Sequence, residues 1–270
     1  VRDCALPLAR DGARWVCERG HGFDIARSGY VSLLQPQDRR SLDAGDTRET
    51  VDARRALLDA GYGDALREAL IEAARAALAE HPDARCALEL GCGDGHFLAA
   101  ISDTLGLTGI GIDLSAHAVE RCARRHPRHV WIAANADRRL PLLDASIDLA
   151  LSIDGRRPAS ELARVLSAGR SAIVAVPADD DLLELRESIQ GSASGSARAE
   201  AVQRELGRDF DVVSRSRAHA RVHLDRSGLA QLALATYRFA RARERERLDD
   251  LDGLTVTTSH DVLRLVRRGS

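Results

Sequence analysis

The chain contains no lysine and no methionine, so all 39 of its basic residues are arginine. Missing lysine does not exclude a nucleic-acid partner, because the arginine fork grips phosphate and stacks on bases. A net charge of −2 does exclude a uniformly basic, nucleic-acid-coating protein. Aromatic residues make up 3%, so aliphatic side chains must fill most of any core. No apolar run reaches the roughly eighteen residues of a membrane span, and no membrane partner is expected. Val1-Arg2-Asp3-Cys4 lacks the apolar segment of a secretory signal. Without methionine, a start trimmed or altered before Val1 is expected. Five irregularly spaced cysteines give no disulfide framework. The expected location is the reducing cytoplasm, with the thiols in core or metal roles.

What is present is enough for one sizeable α/β domain and a small appendage: 270 residues, 44% of them apolar. Residues 1–37 are turn-rich and carry Cys4, Cys17 and His21, whereas residues 38–63 are polar and read as a linker. From Asp64, Leu66, Leu70, Ile71, Ala74 and Leu78 recur at helical spacing up to His81-Pro82. Strands are expected at Cys86–Leu90, Gly109–Asp113, Val130–Ala134, Ile147–Ile153 and Ser171–Val176. The intervening helices include one capped by Ser115 and running through Arg125, and a short one at Glu161–Leu166. Apolar strands alternating with helices point to a parallel sheet covered on both faces. Beyond a Gly/Ser/Ala stretch at Gly191–Ser196, strands are expected at Asp211–Ser214 and Ala220–Leu224, and a helix at Leu229–Phe239. Leu254–Thr258 and Val262–Val266 are expected to pair through a turn at Ser259-His260-Asp261.

The strongest chemical signal is Glu89-Leu90-Gly91-Cys92-Gly93-Asp94-Gly95, which follows the first long strand and opens a helix. Gly91, Gly93 and Gly95 let the backbone turn sharply and approach a ligand closely. A dinucleotide site would favour G-x-G-x-x-G, with a helix N-terminus facing a pyrophosphate. Here the run opens on an acid, which suits the cationic methionyl end of S-adenosylmethionine. The second strand ends at Asp113-Leu114, where a carboxylate can take both ribose hydroxyls. The third is followed by Asn135-Ala136-Asp137, in reach of an adenine edge. The expected architecture is therefore the class I Rossmann-like fold of methyltransferases that use S-adenosylmethionine.

The chain resembles bacterial 23S ribosomal RNA guanine-N1 methyltransferases, a family that includes the macrolide-resistance type. Three stretches carry the likeness besides the cofactor motifs. The first is Cys17-Glu18-Arg19-Gly20-His21 with Phe23-Asp24 and Gly29-Tyr30-Val31-Ser32-Leu33-Leu34. The second is Gly45-Asp46-Thr47 leading to Ala53-Arg54-Arg55 and Leu58-Asp59-Ala60-Gly61. The third is Glu161-Leu162-Ala163-Arg164-Val165. The resemblance implies a zinc-ribbon-like RNA-recognition domain over 1–37, a linker over 38–63 and a methyltransferase domain over 64–270. It also implies a structural zinc held by a C-x-x-C pair, a further cysteine and a histidine. Cys4 matches the second cysteine of the pair, Cys17 the third cysteine and His21 the histidine, while the first position falls on Val1. Structural zinc takes four ligands. Either Asp3 or an upstream residue completes the shell, or the arm is metal-free.

The resemblance also implies the substrate, a 23S rRNA stem-loop, and leaves a homodimer open. Guanine N1 carries a proton that must leave, and Asp154 after the fourth strand is the candidate acceptor. An ordinary turn acid is the competing reading of that residue. Family members carry an aromatic residue and a proline just after this strand, whereas here the stretch is Asp154-Gly155-Arg156-Arg157-Pro158. Two other functions stay open, a small-molecule methyltransferase and a catalytically altered rRNA-binding relative. Tyr30, Tyr62 and Trp131 are candidate stacking residues, with Trp131 favoured as core. Arg121, Arg124, Arg125, Arg128, Arg138 and Arg139 are either an RNA patch or a solvated, acid-paired surface.

Overall fold

The structure is a computed structural model that describes residues 4, 6–34, 45–191, 197–236 and 242–269. Val1, Asp3, linker residues 38–44, residues 192–196 of the Gly/Ser/Ala stretch and residues 237–239 of the expected helix lie outside these. In chain order the elements are β1 (Ala9–Asp11), β2 (Arg14–Val16), β3 (Gly22–Asp24), β4 (Val31–Ser32), α1 (Arg48–Asp59), α2 (Asp64–Ala79) and β5 (Cys86–Leu90). There follow α3 (His96–Leu105), β6 (Thr108–Asp113), α4 (Ala116–Arg125), β7 (Val130–Ala133), β8 (Ile147–Ile153), α5 (Ala159–Val165) and β9 (Leu166–Pro177). The chain closes with α6 (Leu183–Gln190), α7 (Arg198–Leu206), β10 (Phe210–Asp225), α8 (Arg226–Thr236), α9 (Ala242–Asp249) and β11 (Gly253–Arg267).

β1–β3 form a small antiparallel sheet. The main sheet has the order β10-β11-β9-β8-β5-β6-β7-β4. Its centre, β5 to β9, is parallel, and β4 of the N-terminal segment adds in parallel at the β7 edge. Period-two alternation sends Leu149, Leu151 and Ile153 of β8 to one face and Ala150 to the other. The first face packs on α2 and α3 through Leu66, Leu70, Leu98 and Ile101, and the second on α5 and α7 through Leu162, Val165, Val202 and Leu206. A third cluster joins Leu57 of α1, Leu185 of α6, Leu229 and Leu232 of α8 and Leu248 of α9 to Leu224 and Val256 of the antiparallel β10–β11 pair. Among the described residues, no helix is long and apolar enough to cross a membrane.

Three elements depart from the sequence expectations. The stretch read as a polar linker holds α1, capped by Thr47, whose Oγ1 accepts from the Thr50 amide at 3.3 Å. β10 is one strand of 16 residues rather than two short ones. Most consequentially, Ser259-His260-Asp261 is no turn: it lies inside β11, which pairs with β10 from Asp225↔Gly253 to Phe210↔Arg267. Polar residues persist in this interior strand because most of their groups are satisfied, although the buried Ser259 hydroxyl has no hydrogen-bond partner among the described residues. The Ser259 amide donates to Asp181 Oδ1 at 3.1 Å, and Arg215 and Arg217 both donate to the Asp261 carboxylate, at 2.9 and 3.0 Å through their Nη2 groups.

Candidate active site

The parallel strands deliver their ends to one edge of the sheet, where open α/β folds bind ligands. Register sets Glu89 beside Gly111, Asp113 beside Ala133 and Ile153 beside Ala175. Between β5 and α3 the turn holds Gly91, Gly93 and Gly95 at φ of 72°, 53° and 77°. The Gly91 and Cys92 amides donate to the Ile112 carbonyl at 2.8 and 3.2 Å, tying the turn to β6. Trp131 is the floor of this turn. A Cβ on Gly95 would come within 2.5 Å of the indole, and one on Gly111 within 2.4 Å. The indole is 1% exposed and donates to the His126 carbonyl at 2.9 Å, so Trp131 is core and not a base-stacking platform. Tyr30 and Tyr62 also lie against apolar clusters.

Glu89 is 2% exposed and accepts from the Leu98 amide at 3.2 Å, with no cationic partner among the described residues. Burial pushes its carboxyl well above the usual range, and the nearby Asp94 and Asp113 add to that push. A buried acid lacking a cation fits the positive end of S-adenosylmethionine. Because its folded value is raised, Glu89 costs stability progressively as pH rises above the ordinary carboxylate range, and the cost levels off above the raised value. Glu89→Gln keeps an acceptor for Leu98 and removes the charge. Thermal melts of the ligand-free variant will therefore rise, by about 2–4 °C for each kcal/mol regained. The upward shift normally produced by S-adenosylmethionine will shrink, and an unaltered shift would separate Glu89 from the cofactor.

Asp113 Oδ2 accepts from the Gly93 amide at 2.9 Å and Oδ1 from the Ser115 amide at 2.8 Å. Burial raises its carboxyl above the ordinary value against the pull of those two amides. Leu114 is half-buried beside it. Asn135 Oδ1 accepts from the Asp137 amide at 2.9 Å, which shapes the turn after β7. Ala136 is buried there, and Asp137 is exposed, 3.4 Å from Arg156 of the loop after β8.

Sequence reasoning assigned no role to the linker residues that enclose this edge. Gly45 lies so close to Ser115 that a Cβ would meet its amide at 2.7 Å, and Ser115 Oγ donates to the Asp46 carbonyl at 2.8 Å. Arg54 pairs with Asp46, donates to the Ala235 carbonyl at 3.0 Å and reaches to 3.5 Å from the Cβ position of Gly93. Arg55 is buried, bonded to Asp59 and, at 3.2 Å, to Asp94 of the glycine turn. Burial pulls its guanidinium down, but Asp59 and Asp94 outweigh this and leave it above the usual value. The available signal was the Ala53-Arg54-Arg55 run at one-turn spacing from Asp59.

Asp154 follows β8 directly and lies in the left-handed region, at φ 50°. Its amide donates to the Ala175 carbonyl at 3.0 Å, and its Oδ2 lies 3.0 Å from His260 Nε2. Next to it, a Cβ on Gly155 would stand 2.7 Å from the Leu90 carbonyl, so the loop after β8 rests directly on the start of the glycine turn. Arg157 closes the loop by donating to Glu205 of α7 at 2.6 Å.

In the N-terminal arm, Cys4 Sγ lies 3.8 Å from Cys17 Sγ, and Cys17 Sγ lies 3.4 Å from His21 Nδ1. Zinc–sulfur bonds of about 2.3 Å give a tetrahedron edge of about 3.8 Å, so this donor set fits zinc. Burial pushes the Cys17 thiol up, but hydrogen bonding to His21, Arg19 and Cys4 leaves it below its ordinary value. Cys92 and Cys122 are buried, and Cys86 is half-buried with its thiol donating to the Ser146 carbonyl at 3.3 Å. The arginines at 121, 124, 125, 128 and 139 pair with Asp52, Glu120, Asp59, Asp103 and Asp144, favouring the acid-paired surface over an RNA patch.

The strand order, the glycine turn and the acid ending the neighbouring strand define a class I methyltransferase. Family profiles match twice, "RlmA, N-terminal" over residues 4–42 and "Methyltransferase domain" over residues 87–172. A 23S rRNA (guanine(748)-N(1))-methyltransferase of Streptomyces fradiae is 36% identical over 231 residues, spanning 85% of this chain and 81% of that protein. A relative from Micromonospora griseorubida, named for guanine-N1 modification of 23S rRNA, is 32% identical over 80% of this chain and 76% of its own length. The chain belongs to the 23S rRNA guanine-N1 methyltransferase family. Among solved structures, the YcgJ protein of Bacillus subtilis overlaps with a TM-score of 0.48 at 14% identity, over 70% of this chain and 95% of that one.

Proposed function

We propose that this chain methylates N1 of a guanine in a 23S rRNA stem-loop, using S-adenosylmethionine. The observation that carries the reading is the union, in one chain, of the Cys4/Cys17/His21 arm and the Glu89–Gly95 turn. Residues 1–37 serve as the RNA-recognition domain, 38–63 as the linker and 64–270 as the methyltransferase domain. A stem-loop is too large for a closed pocket, so phosphate contacts from a second domain are a reasonable means of orienting it. The implied location is the cytoplasm, and a reducing compartment suits five free cysteines.

When bound, S-adenosylmethionine supplies an electrophilic methyl carbon whose bond to sulfur breaks with the electron pair leaving on sulfur. Glu89 and the backbone of Gly91, Gly93 and Gly95 would hold the methionyl end, and Asp113 the ribose hydroxyls. Leu114, Asn135, Ala136 and Asp137 would line the adenine. The target guanine is unstacked into the cleft. Asp154 accepts the N1 proton, and the electron pair released at N1 forms the new bond to carbon. Asp154 is half-exposed beside the cofactor turn, which supports this role. Incubation with labelled S-adenosylmethionine and unmodified 23S rRNA tests the reading. Label should enter the RNA, and label appearing only in a small metabolite would replace the RNA substrate.

Zinc is part of the proposal, held by Cys4, Cys17, His21 and a fourth ligand outside the family pattern. Protein purified without chelator will contain about one zinc per chain, because structural sites hold the ion tightly. Less than roughly a tenth of an equivalent would favour a metal-free arm. Elemental analysis makes the distinction.

A further inference from the structure

β11 carries Thr257, Thr258, Ser259, His260 and Asp261 alongside β10, all but His260 buried, and meets β9 from His260 onward. Such a polar run is costly inside a sheet unless every group is satisfied, and it is most easily understood where it serves a site. The neighbours of His260 are held from both sides. Asp181 fixes the Ser259 amide, and Arg215 and Arg217 clasp Asp261. Val262 is buried, and Pro177 pairs with His260 across the ladder. This rigid strand brings the His260 ring to the end of β8.

There Nε2 lies 3.0 Å from Asp154 Oδ2. The imidazole side chain is 13% exposed and the carboxylate 48%, so the histidine lies beneath and the acid above, towards solvent. That imidazole is the one side-chain partner of the Asp154 carboxylate among the described residues. Asp154 is also one of three non-glycine residues at positive φ among the described residues. Aspartate tolerates that conformation, and backbone held in sparsely populated regions clusters at active sites. The adjoining Gly155 touches the Leu90 carbonyl too closely for any side chain, which fixes the loop on the other flank.

We propose that His260 is the positioning residue for Asp154. Its Nε2–H donates to Oδ2, pins the carboxylate against rotation, and leaves Oδ1 aimed at the guanine N1 proton. The proposal rests on Asp154 as the proton acceptor. His260 itself touches neither guanine nor cofactor. It acts by keeping the acceptor within the narrow geometry that proton transfer needs, where small misplacements carry large rate costs.

The test combines single-turnover kinetics on 23S rRNA with variants at both positions. His260→Ala should lower the rate about 10- to 100-fold while leaving KM for rRNA and the affinity for S-adenosylmethionine unchanged. His260→Gln, whose side-chain amide can donate from a similar place, should recover most of the loss and guards against a misfolded alanine variant. In an Asp154→Asn background, His260→Ala should cost nothing further, because the two residues act as one unit. In the ligand-free protein, the His260 Nε2–H resonance should move on Asp154→Asn. A His260 penalty that persists undiminished in the Asp154→Asn background would overturn the proposal, as would a His260→Ala enzyme of full rate. Full activity of Asp154→Asn alone would instead remove the acceptor reading beneath it, a separately visible failure.

Discussion

Asp154→Asn will lower turnover on 23S rRNA by about 10²- to 10⁴-fold, the usual contribution of a positioned general base. Asparagine keeps the size of the side chain and can still hydrogen-bond to His260. It cannot take a proton. Binding of rRNA and of S-adenosylmethionine should hold near wild-type values, because Asp154 follows β8, whereas the carboxylates proposed to hold the cofactor, Glu89 and Asp113, belong to β5 and β6. The residual rate should climb with pH, as hydroxide from solvent takes over removal of the N1 proton. Single-turnover rates across a pH series measure both effects. An unchanged rate would exclude Asp154 from the proton transfer.

Asp113→Ala should weaken S-adenosylmethionine binding by about 2–4 kcal/mol, or roughly 30- to 1,000-fold. Two losses add. The ribose hydroxyls lose a charged acceptor, and the Gly93 and Ser115 amides lose the carboxylate that ties the glycine turn to the start of α4. Asp113→Asn should be milder, since one carbonyl oxygen remains for one of those amides. Titration calorimetry resolves the series, and unaltered affinity in the alanine variant would remove the ribose assignment.

The Rossmann core was legible because its strands are apolar, short and punctuated. Cys86–Leu90 and Ile147–Ile153 fall where the periodicity places them, and Ser115 caps α4 through its hydroxyl. The turn between β5 and α3 was legible from its closely spaced glycines, Gly91, Gly93 and Gly95, all of which take positive φ. The rest depended on contacts between residues far apart in sequence. Ser-His-Asp reads locally as a turn, and partners distant in sequence, Asp181, Arg215 and Arg217 among them, make it tolerable in a strand. His260 and Asp154 are 106 residues apart, so no local pattern could join them. The linker helix α1 hid behind its charges. Val51, Leu57 and Leu58 bury one side of it while Arg55 reaches inward to Asp94, a buried ion pair that composition does not reveal.

The arm raised a similar difficulty. The order of Cys4, Cys17 and His21 could be matched to a family pattern, but their convergence within 4.8 Å is a property of the folded loop. The structure joins β4 of the N-terminal segment to β7, with the Leu33 amide donating to the Ala133 carbonyl at 2.8 Å, at the edge opposite the β10–β11 pair, a pairing that no local pattern reveals.

The most direct test of the account is the chemical identity of the product. Unmodified 23S rRNA, treated with this protein and S-adenosylmethionine, should be digested to nucleosides and analysed by mass spectrometry against authentic methylguanosine isomers. The account predicts 1-methylguanosine, together with a reverse-transcription stop at a single guanine whose pairing edge the methyl group blocks. A methyl group on another guanine atom, or rRNA left unmethylated while cofactor binding is intact, would contradict it.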